Sequence, residues 1–332
     1  MEYFFPEINY GRSGFEKFHT IFGGTTVFNS FRVIQRNKKP RVISTSDVKE
    51  EFLNRFTSKP ISILGSSFET PAIMGILNVT PDSFYDGEKF FTEKQFVKKG
   101  LHLLNIGCTV LDVGGESTRP GAKEVSSTIE RERVMGVIKK IKNSVSSAII
   151  SVDTRKSMVA DKALQAGASI VNDISAGSFD KKMFEVVAKH GAGICLMHSQ
   201  GVPENMQNKP HYSDILLDLY DYFEEKIAEA QSAGIPREKI AIDPGIGFGK
   251  KLHHNLEILN KISLFLGLGL PVMIGISRKS FIGEITSESD PSERLAGSIA
   301  AMLTPLNRGV SIVRVHDVKE AADAIKVWNI LK

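Results

Sequence analysis

A (β/α)8 TIM barrel with an N-terminal β-hairpin and short helix is the α/β fold class that this sequence predicts, and three observations predict it. Eight short apolar, β-branched runs recur from about Ala72 onward, each stopping at a polar residue and a glycine-rich turn. Stretches with helical periodicity separate them, such as TIERERVMGVIKKIK and ILLDLYDYFEEKIAEAQ. The runs are almost continuously apolar, as in strands covered on both faces of a parallel sheet. Strand followed by helix, repeated to this number, closes a barrel.

In order, the strands are AIMGILN ending at Asn78, TVLDVGG around Asp112, AIISVD ending at Asp153, and SIVND ending at Asn172 and Asp173. GICLMH then ends at His198, IAID at Asp243, VMIGISRK at Ser277 to Lys279, and IVRVH at His316. The final helix carries a start signal, Asp317 standing three residues ahead of Glu320 as in a capping box. Chemistry in such barrels sits at the C-terminal strand ends, and every polar stop falls there.

Residues 1–70 lie outside the repeat and are expected to form an extension packed on the barrel of residues 71–332. TTVFNSFRVIQR, a turn at NKKP and RVIS read as a β-hairpin, and SDVKEEFLNRF as a short amphipathic helix. The basic stretch RNKKPR reads as a solvated turn.

The 42 basic and 38 acidic residues leave a net charge of +4, too balanced for a nucleic-acid or membrane-surface protein. An anionic ligand would instead need a local basic cluster. Cys108 and Cys195 each open an apolar run and are expected as buried, reduced thiols. No run approaches the ~18 apolar residues of a membrane span, so the expectation is a soluble, cytoplasmic protein.

MGILNVTPDSF ends a strand at Asn78, whose amide oxygen suits Mg2+, an ion that takes few protein ligands; an Asn there is otherwise a turn former. LDVGGESTRPGA carries a Thr118-Arg119-Pro120 tip, in which Arg119 is either a fork of donors for phosphate or carboxylate or a surface arginine. Asp153, Asn172 and Asp243 end three strands at the barrel mouth, where two carboxylates and an amide suit a nitrogen heterocycle; a lone buried Asp is usually a satisfied structural group. Ser277, Arg278, Lys279 and Ser280 follow the seventh strand, while Arg314 and His316 share a face of the eighth. Loops after the last two strands often bind phosphate in these barrels, so a basic anion pocket follows. No nucleophile elbow, Walker loop or zinc-spaced cluster occurs in the sequence, leaving hydrolysis by a nucleophile, ATP use and zinc catalysis without support.

NVTPDSF, GGESTRPGA, SVDTRK, NDISAG, LMHSQG, DPGIGFGK, SRKSFIG and RVHDV occur in an order and spacing that resembles the dihydropteroate synthases, a pterin-binding TIM-barrel family. The likeness runs from about Pro71 to Lys332. It implies condensation of 6-hydroxymethyl-7,8-dihydropterin diphosphate with p-aminobenzoate to give 7,8-dihydropteroate and pyrophosphate. It also implies Mg2+ on Asn78, the diphosphate held by Thr118, Arg119, Arg314 and His316, and the pterin held by Asp153, Asn172, Asp243 and Lys279. Arg119, Pro120, Phe248, Lys279 and Ser280 would form the p-aminobenzoate pocket, and Asp153, Asp243, Lys279, Arg314 and His316 the catalytic set. Pyrophosphate would leave first, and the amine would then attack a resonance-stabilised pterin methyl cation. The resemblance implies a homodimer with no nucleic-acid or membrane partner. Ser199 departs from it, standing where many relatives have methionine. Two other readings share the fold: a pterin-binding methyl-transfer domain, which needs no basic anion site, and an inactive paralogue acting as a binding protein.

Overall fold

Eight parallel strands stand where the apolar runs predict them: β5 (Ala72–Asn78), β6 (Val110–Gly114), β7 (Ile150–Asp153), β8 (Ile170–Asp173), β9 (Gly193–Met197), β10 (Ile240–Asp243), β11 (Met273–Gly275) and β12 (Ile312–Val315). In this computed structural model, all residues are described except 10–17, 61, 63, 67–70, 81–91, 118–120, 202–205, 207–209 and 332. The strands pair in the order β10-β9-β8-β7-β6-β5-β12-β11. A parallel bridge between Ile242 and Val272, with Ile242 N donating to Pro271 O at 3.0 Å, joins the two ends into a barrel. Helices α2 (Glu93–Asn105), α3 (Ser127–Ser144), α4 (Ser157–Gln165), α5 (Met183–His190), α6 (Ile215–Ser232), α7 (Leu252–Asn260), α8 (Ser280–Thr286) and α9 (Leu295–Asn307) lie between successive strands, and α10 (Val318–Leu331) follows the last.

Strand pleating sorts the residues two by two. One set, including Leu111, Val113, Val152, Val171, Ile194, Ile242 and Val313, packs outward into the large core beneath the helices. The other set fills the barrel: Met74, Val110, Ile170, Cys195, Ala241, Met273 and Ile312 form a separate buried cluster. Leu64, which precedes the first barrel strand, belongs to that inner cluster and is 2% exposed. Cys108 and Cys195 are buried free thiols, as expected.

The N-terminal segment is a four-stranded antiparallel sheet rather than a lone hairpin. β3 (Val27–Ile34) and β4 (Arg41–Ser44) are the predicted hairpin, and α1 (Glu50–Thr57) the predicted helix. β1 (Tyr3–Asn9) and β2 (His19–Thr20) also pair with β3, and sequence reading missed both. Pro6 masks β1 by breaking its alternation, and the register shifts between Pro6 and Ile8. Phe28, Phe31 and Phe56 form the aromatic core of this sheet, with Phe31 and Phe56 centroids 4.9 Å apart.

Polar bonds tie the sheet to the barrel. Tyr3 Oη donates to Asp221 Oδ1 at 2.7 Å, and Arg36 Nη2 to Asp218 at 2.9 Å and Asp221 at 2.7 Å, both on α6. Arg55 Nη1 reaches Gly267 O at 2.8 Å. Arg36, expected as part of a solvated turn, is therefore an anchor. Asp317 does precede α10, but its carboxylate is engaged by Arg278 from the preceding loop.

Leu64→Ala is expected to lower the unfolding free energy by about 2–4 kcal/mol, because it opens a cavity under a packed layer. Val42→Ala on β4, where the side chain is 61% exposed, should cost under about 0.5 kcal/mol. Urea midpoints of the two variants check this; equal midpoints would refute a packing role for Leu64 in the inner cluster.

Candidate active site

Two residues above the apolar layer, the same inward-facing parity becomes polar. Val110 is followed by Asp112, Ile170 by Asn172, Ala241 by Asp243 and Ile312 by Arg314, with Asp153 at the end of β7. The barrel thus supplies a rigid floor of aliphatic groups and a ring of charged ones directly over it.

Arg314 is the centre of that ring. Its Nε donates to Asp112 Oδ2 at 2.7 Å and its Nη2 to Asp153 Oδ2 at 2.6 Å. Asn172 Nδ2 donates to the same Asp112 oxygen at 3.1 Å. Burial pushes the Asp153 carboxyl up to about 7, opposed by the Arg314 charge and assisted by neighbouring Asp112. Burial alone would weaken the Arg314 charge, but Asp112 and Asp153 outweigh it and hold the guanidinium more firmly protonated than usual. Asp112 Oδ1, Asp153 Oδ1 and Asn172 Oδ1 are buried with no hydrogen-bond partner among the described residues.

Asp243 and Lys279 form the opposite wall. Asp243 Oδ1 accepts from Gly245 N at 2.8 Å, closing the turn of the DPGIGFGK loop, and burial raises its carboxyl against the pull of Lys279. Gly245 has φ +68°, and a Cβ there would lie 2.0 Å from His198 O, so no larger residue fits. Lys279 lies along Gly247, where a Cβ would come 3.2 Å from its Cδ. Its Nζ donates to Ile246 O and stands 4.6 Å from the Phe248 ring centroid, a cation–π contact. Desolvation lowers the Lys279 ammonium to about 8, with Asp243 opposing. Ser280 opens α8 and is exposed beside it.

His316 Nδ1 lies 3.1 Å from Ser277 Oγ, and His316 N donates to the same oxygen at 3.2 Å. Asn78 ends β5 half-buried, and a Cβ on neighbouring Gly114 would be 3.5 Å from both Asn78 Oδ1 and Asp153 Cβ, which puts that amide oxygen beside the ring. Among the described residues, no cluster of three or more His, Cys, Asp or Glu side chains could hold a metal. A single neutral amide oxygen such as that of Asn78 suits only an ion that keeps its waters and takes most of its oxygens from elsewhere. Thr118, Arg119 and Pro120 lie outside the described residues.

The structure brings together Asn78, Asp153, Asn172, Asp243, Phe248, Lys279, Arg314 and His316 at one barrel mouth. Asp173, the other polar residue ending β8, instead accepts from Ser175 N, Ser175 Oγ and Gly177 N, so it shapes the following turn. Sequence reading missed Asp112 as a site residue; its inward parity with Val110 was the available signal. It also missed two buried supports, each pairing residues far apart in sequence. Lys156 Nζ binds Glu116 at 3.0 Å, Glu130 at 2.7 Å and Val125 O at 2.7 Å, bracketing the segment after β6. Lys250 Nζ joins His198 Nδ1 at 3.0 Å to Phe248 O at 3.0 Å, tying the loops after β9 and β10.

Residues 74–316 match the family model described as pterin binding enzyme, an interval that contains every site residue above. The dihydropteroate synthase of Escherichia coli (strain K12) is 46% identical over 257 residues, covering 77% of this chain and 90% of that protein. A Xanthomonas albilineans dihydropteroate synthase solved with 4-aminobenzoic acid superposes with a TM-score of 0.75 at 40% identity, over 80% of this chain and 94% of that one. The same organism's enzyme in complex with 7,8-dihydropteroate gives 0.72 at 37% identity, over 79% and 94%. With a barrel of this topology, a polar ring at its mouth and identity of this extent, the chain belongs to the dihydropteroate synthase family.

Proposed function

We propose that the chain joins 6-hydroxymethyl-7,8-dihydropterin diphosphate to p-aminobenzoate, giving 7,8-dihydropteroate and pyrophosphate. The observation that carries this reading is the buried ring of Asp112, Asp153, Asn172 and Asp243 with Arg314 and Lys279 among them. Its three unpartnered oxygens are acceptors for a heterocycle rich in N–H donors, which a pterin is. Relatives solved with 4-aminobenzoic acid and with 7,8-dihydropteroate support both ends of the reaction.

The pterin lies on the aliphatic floor with its nitrogens toward Asp153, Asn172, Asp243 and Lys279. The diphosphate faces Arg314 and His316, with Thr118 and Arg119 completing its grip. The C–O bond to the diphosphate breaks with its electron pair leaving on oxygen, and the pterin methyl carbon becomes cationic. Ionised Asp153 and Asp243 stabilise that cation, while Arg314 and His316 stabilise the departing anion, so preorganised charge lowers the barrier. The arylamine lone pair forms the new C–N bond and the amine then loses a proton. Phe248, Lys279, Ser280, Arg119 and Pro120 hold the p-aminobenzoate ring and carboxylate. Mg2+, with Asn78 as its protein ligand, supplies neutralisation of diphosphate charge when bound. Family likeness also supports a homodimer working in the cytoplasm without nucleic-acid or membrane partners. Among the described residues no helix is long and apolar enough to cross a membrane.

The deciding assay is pyrophosphate release with the dihydropterin diphosphate, p-aminobenzoate and Mg2+, omitting each in turn. Release in step with dihydropteroate formation is expected only with all three; tight pterin binding without turnover would refute the reading. Asp112→Asn should lower kcat/KM for the diphosphate roughly tenfold to a hundredfold, the worth of one charge-assisted hydrogen bond of about 1.5–3 kcal/mol. An unchanged value would remove Asp112 from the site.

The pH profile follows from the two shifted groups. Asp153, raised to about 7, is protonated and ineffective below that pH; Lys279, lowered to about 8, loses its proton above it. A narrow bell in kcat/KM is expected between these values. Lys279→Arg should carry the alkaline limb upward, and a limb that stays in place would exclude Lys279 as its source.

A further inference from the structure

Arg278 stands in the middle of the basic SRKS motif, yet it does not join the anion site. Its φ is +60°, a left-handed conformation that a residue with a large side chain rarely adopts. Four sets of bonds hold it there. Its N–H donates to Ser298 Oγ at 2.9 Å, and its carbonyl accepts from Arg294 Nη1 at 3.1 Å. Its Nε donates to Asp317 Oδ2 at 3.0 Å, and its Nη2 to Asp317 Oδ1, a bidentate pair. Ser298 Oγ in turn donates to Arg294 O at 2.7 Å, so the supports brace one another.

The neighbours on both sides explain the arrangement. Ser277 precedes Arg278 and bonds His316, while Asp317, the partner of Arg278, follows His316. Two adjacent rungs, Ser277 with His316 and Arg278 with Asp317, therefore lace the loop after β11 to the loop after β12. Lys279 comes next, in ordinary extended conformation at φ −70°, and turns its side chain back over Gly247 toward Ile246 O. Reversal of the chain at position 278 sends Arg278 to Asp317 while Ser277 and Lys279 serve the site.

We infer that Arg278 and Asp317 are positioning residues: their ion pair clasps the last two barrel loops so that Ser277 holds His316 at the anion site beside Arg314, where the diphosphate lies. This rests on the reading of the anion site given above. Glycine would accept the backbone conformation without strain but could not make the clasp, and lysine could make one bond of the two.

The test uses the full chain with Arg278→Ala, Arg278→Gly, Arg278→Lys and Asp317→Asn. Binding of inorganic pyrophosphate with Mg2+, and separately of 6-hydroxymethylpterin, is measured by calorimetry beside melting temperature and turnover. Arg278→Ala, Arg278→Gly and Asp317→Asn should each weaken pyrophosphate on the order of tenfold, the loss of a tenfold factor being about 1.4 kcal/mol, and leave pterin within about twofold. Arg278→Lys should recover part of the loss. Restoration by glycine, equal loss of both ligands, or no loss of pyrophosphate would each overturn the clasp. His316→Ala separates the two ideas: if it weakens pyrophosphate while Arg278→Ala does not, the clasp alone falls; if neither does, the anion site falls with it.

Discussion

One guanidinium bridging two carboxylates inside a closed barrel is the interaction on which this site depends. Arg314 on β12 reaches past β5 to Asp112 on β6 and Asp153 on β7, spanning four consecutive strands of the sheet. Removing such groups from water is costly, and the attraction compensates only where geometry is tight and further bonds satisfy the leftover atoms. The aliphatic layer beneath supplies the tightness: Val110, Ile170, Ala241 and Ile312 fix the backbone whose next inward residues are Asp112, Asn172, Asp243 and Arg314. Charge and packing are thus successive layers of one repeating pattern.

That layering governs chemistry as well as stability. Burial moves Asp153 upward and Lys279 downward, so an acid and a base with ordinarily distant titrations approach each other near neutrality. Arg314 does not follow, because its carboxylate partners favour its charged form. A permanent cation among groups of adjustable charge suits a reaction in which a cation forms and an anion departs.

The barrel was legible because each strand is apolar on both faces and ends at a polar residue, so that eight boundaries announced themselves. Asp153, Asn172 and Asp243 were legible for the same reason, at or next to strand ends, and Lys279, Arg314 and His316 as a basic group around the last two strands. Asp112 was not, since it lies inside its strand and looks like a core position until the inward parity is followed from Val110. Arg278 misled in the other direction: composition grouped it with Lys279, whereas a positive φ turns it toward a carboxylate thirty-nine positions on. β1 escaped notice because Pro6 interrupts its alternation, and Lys156 and Lys250 because their partners are brought near only by the closed fold. Local pattern thus revealed elements and their ends, while partnerships across the barrel required coordinates.

The N-terminal sheet imposes an order on assembly. Its anchors, Tyr3 to Asp221 and Arg55 to Gly267, join positions 218 and 212 residues apart. At a synthesis rate of about 5–20 residues per second, the first strand leaves the ribosome roughly 10–40 s before its partner helix exists. Phe28, Phe31 and Phe56 can gather among themselves in that interval, but the face destined for α6 stays uncovered until most of the barrel has been made. The N-terminal sheet is thereby seated late, only after the strands up to β9 and helix α6 have been made.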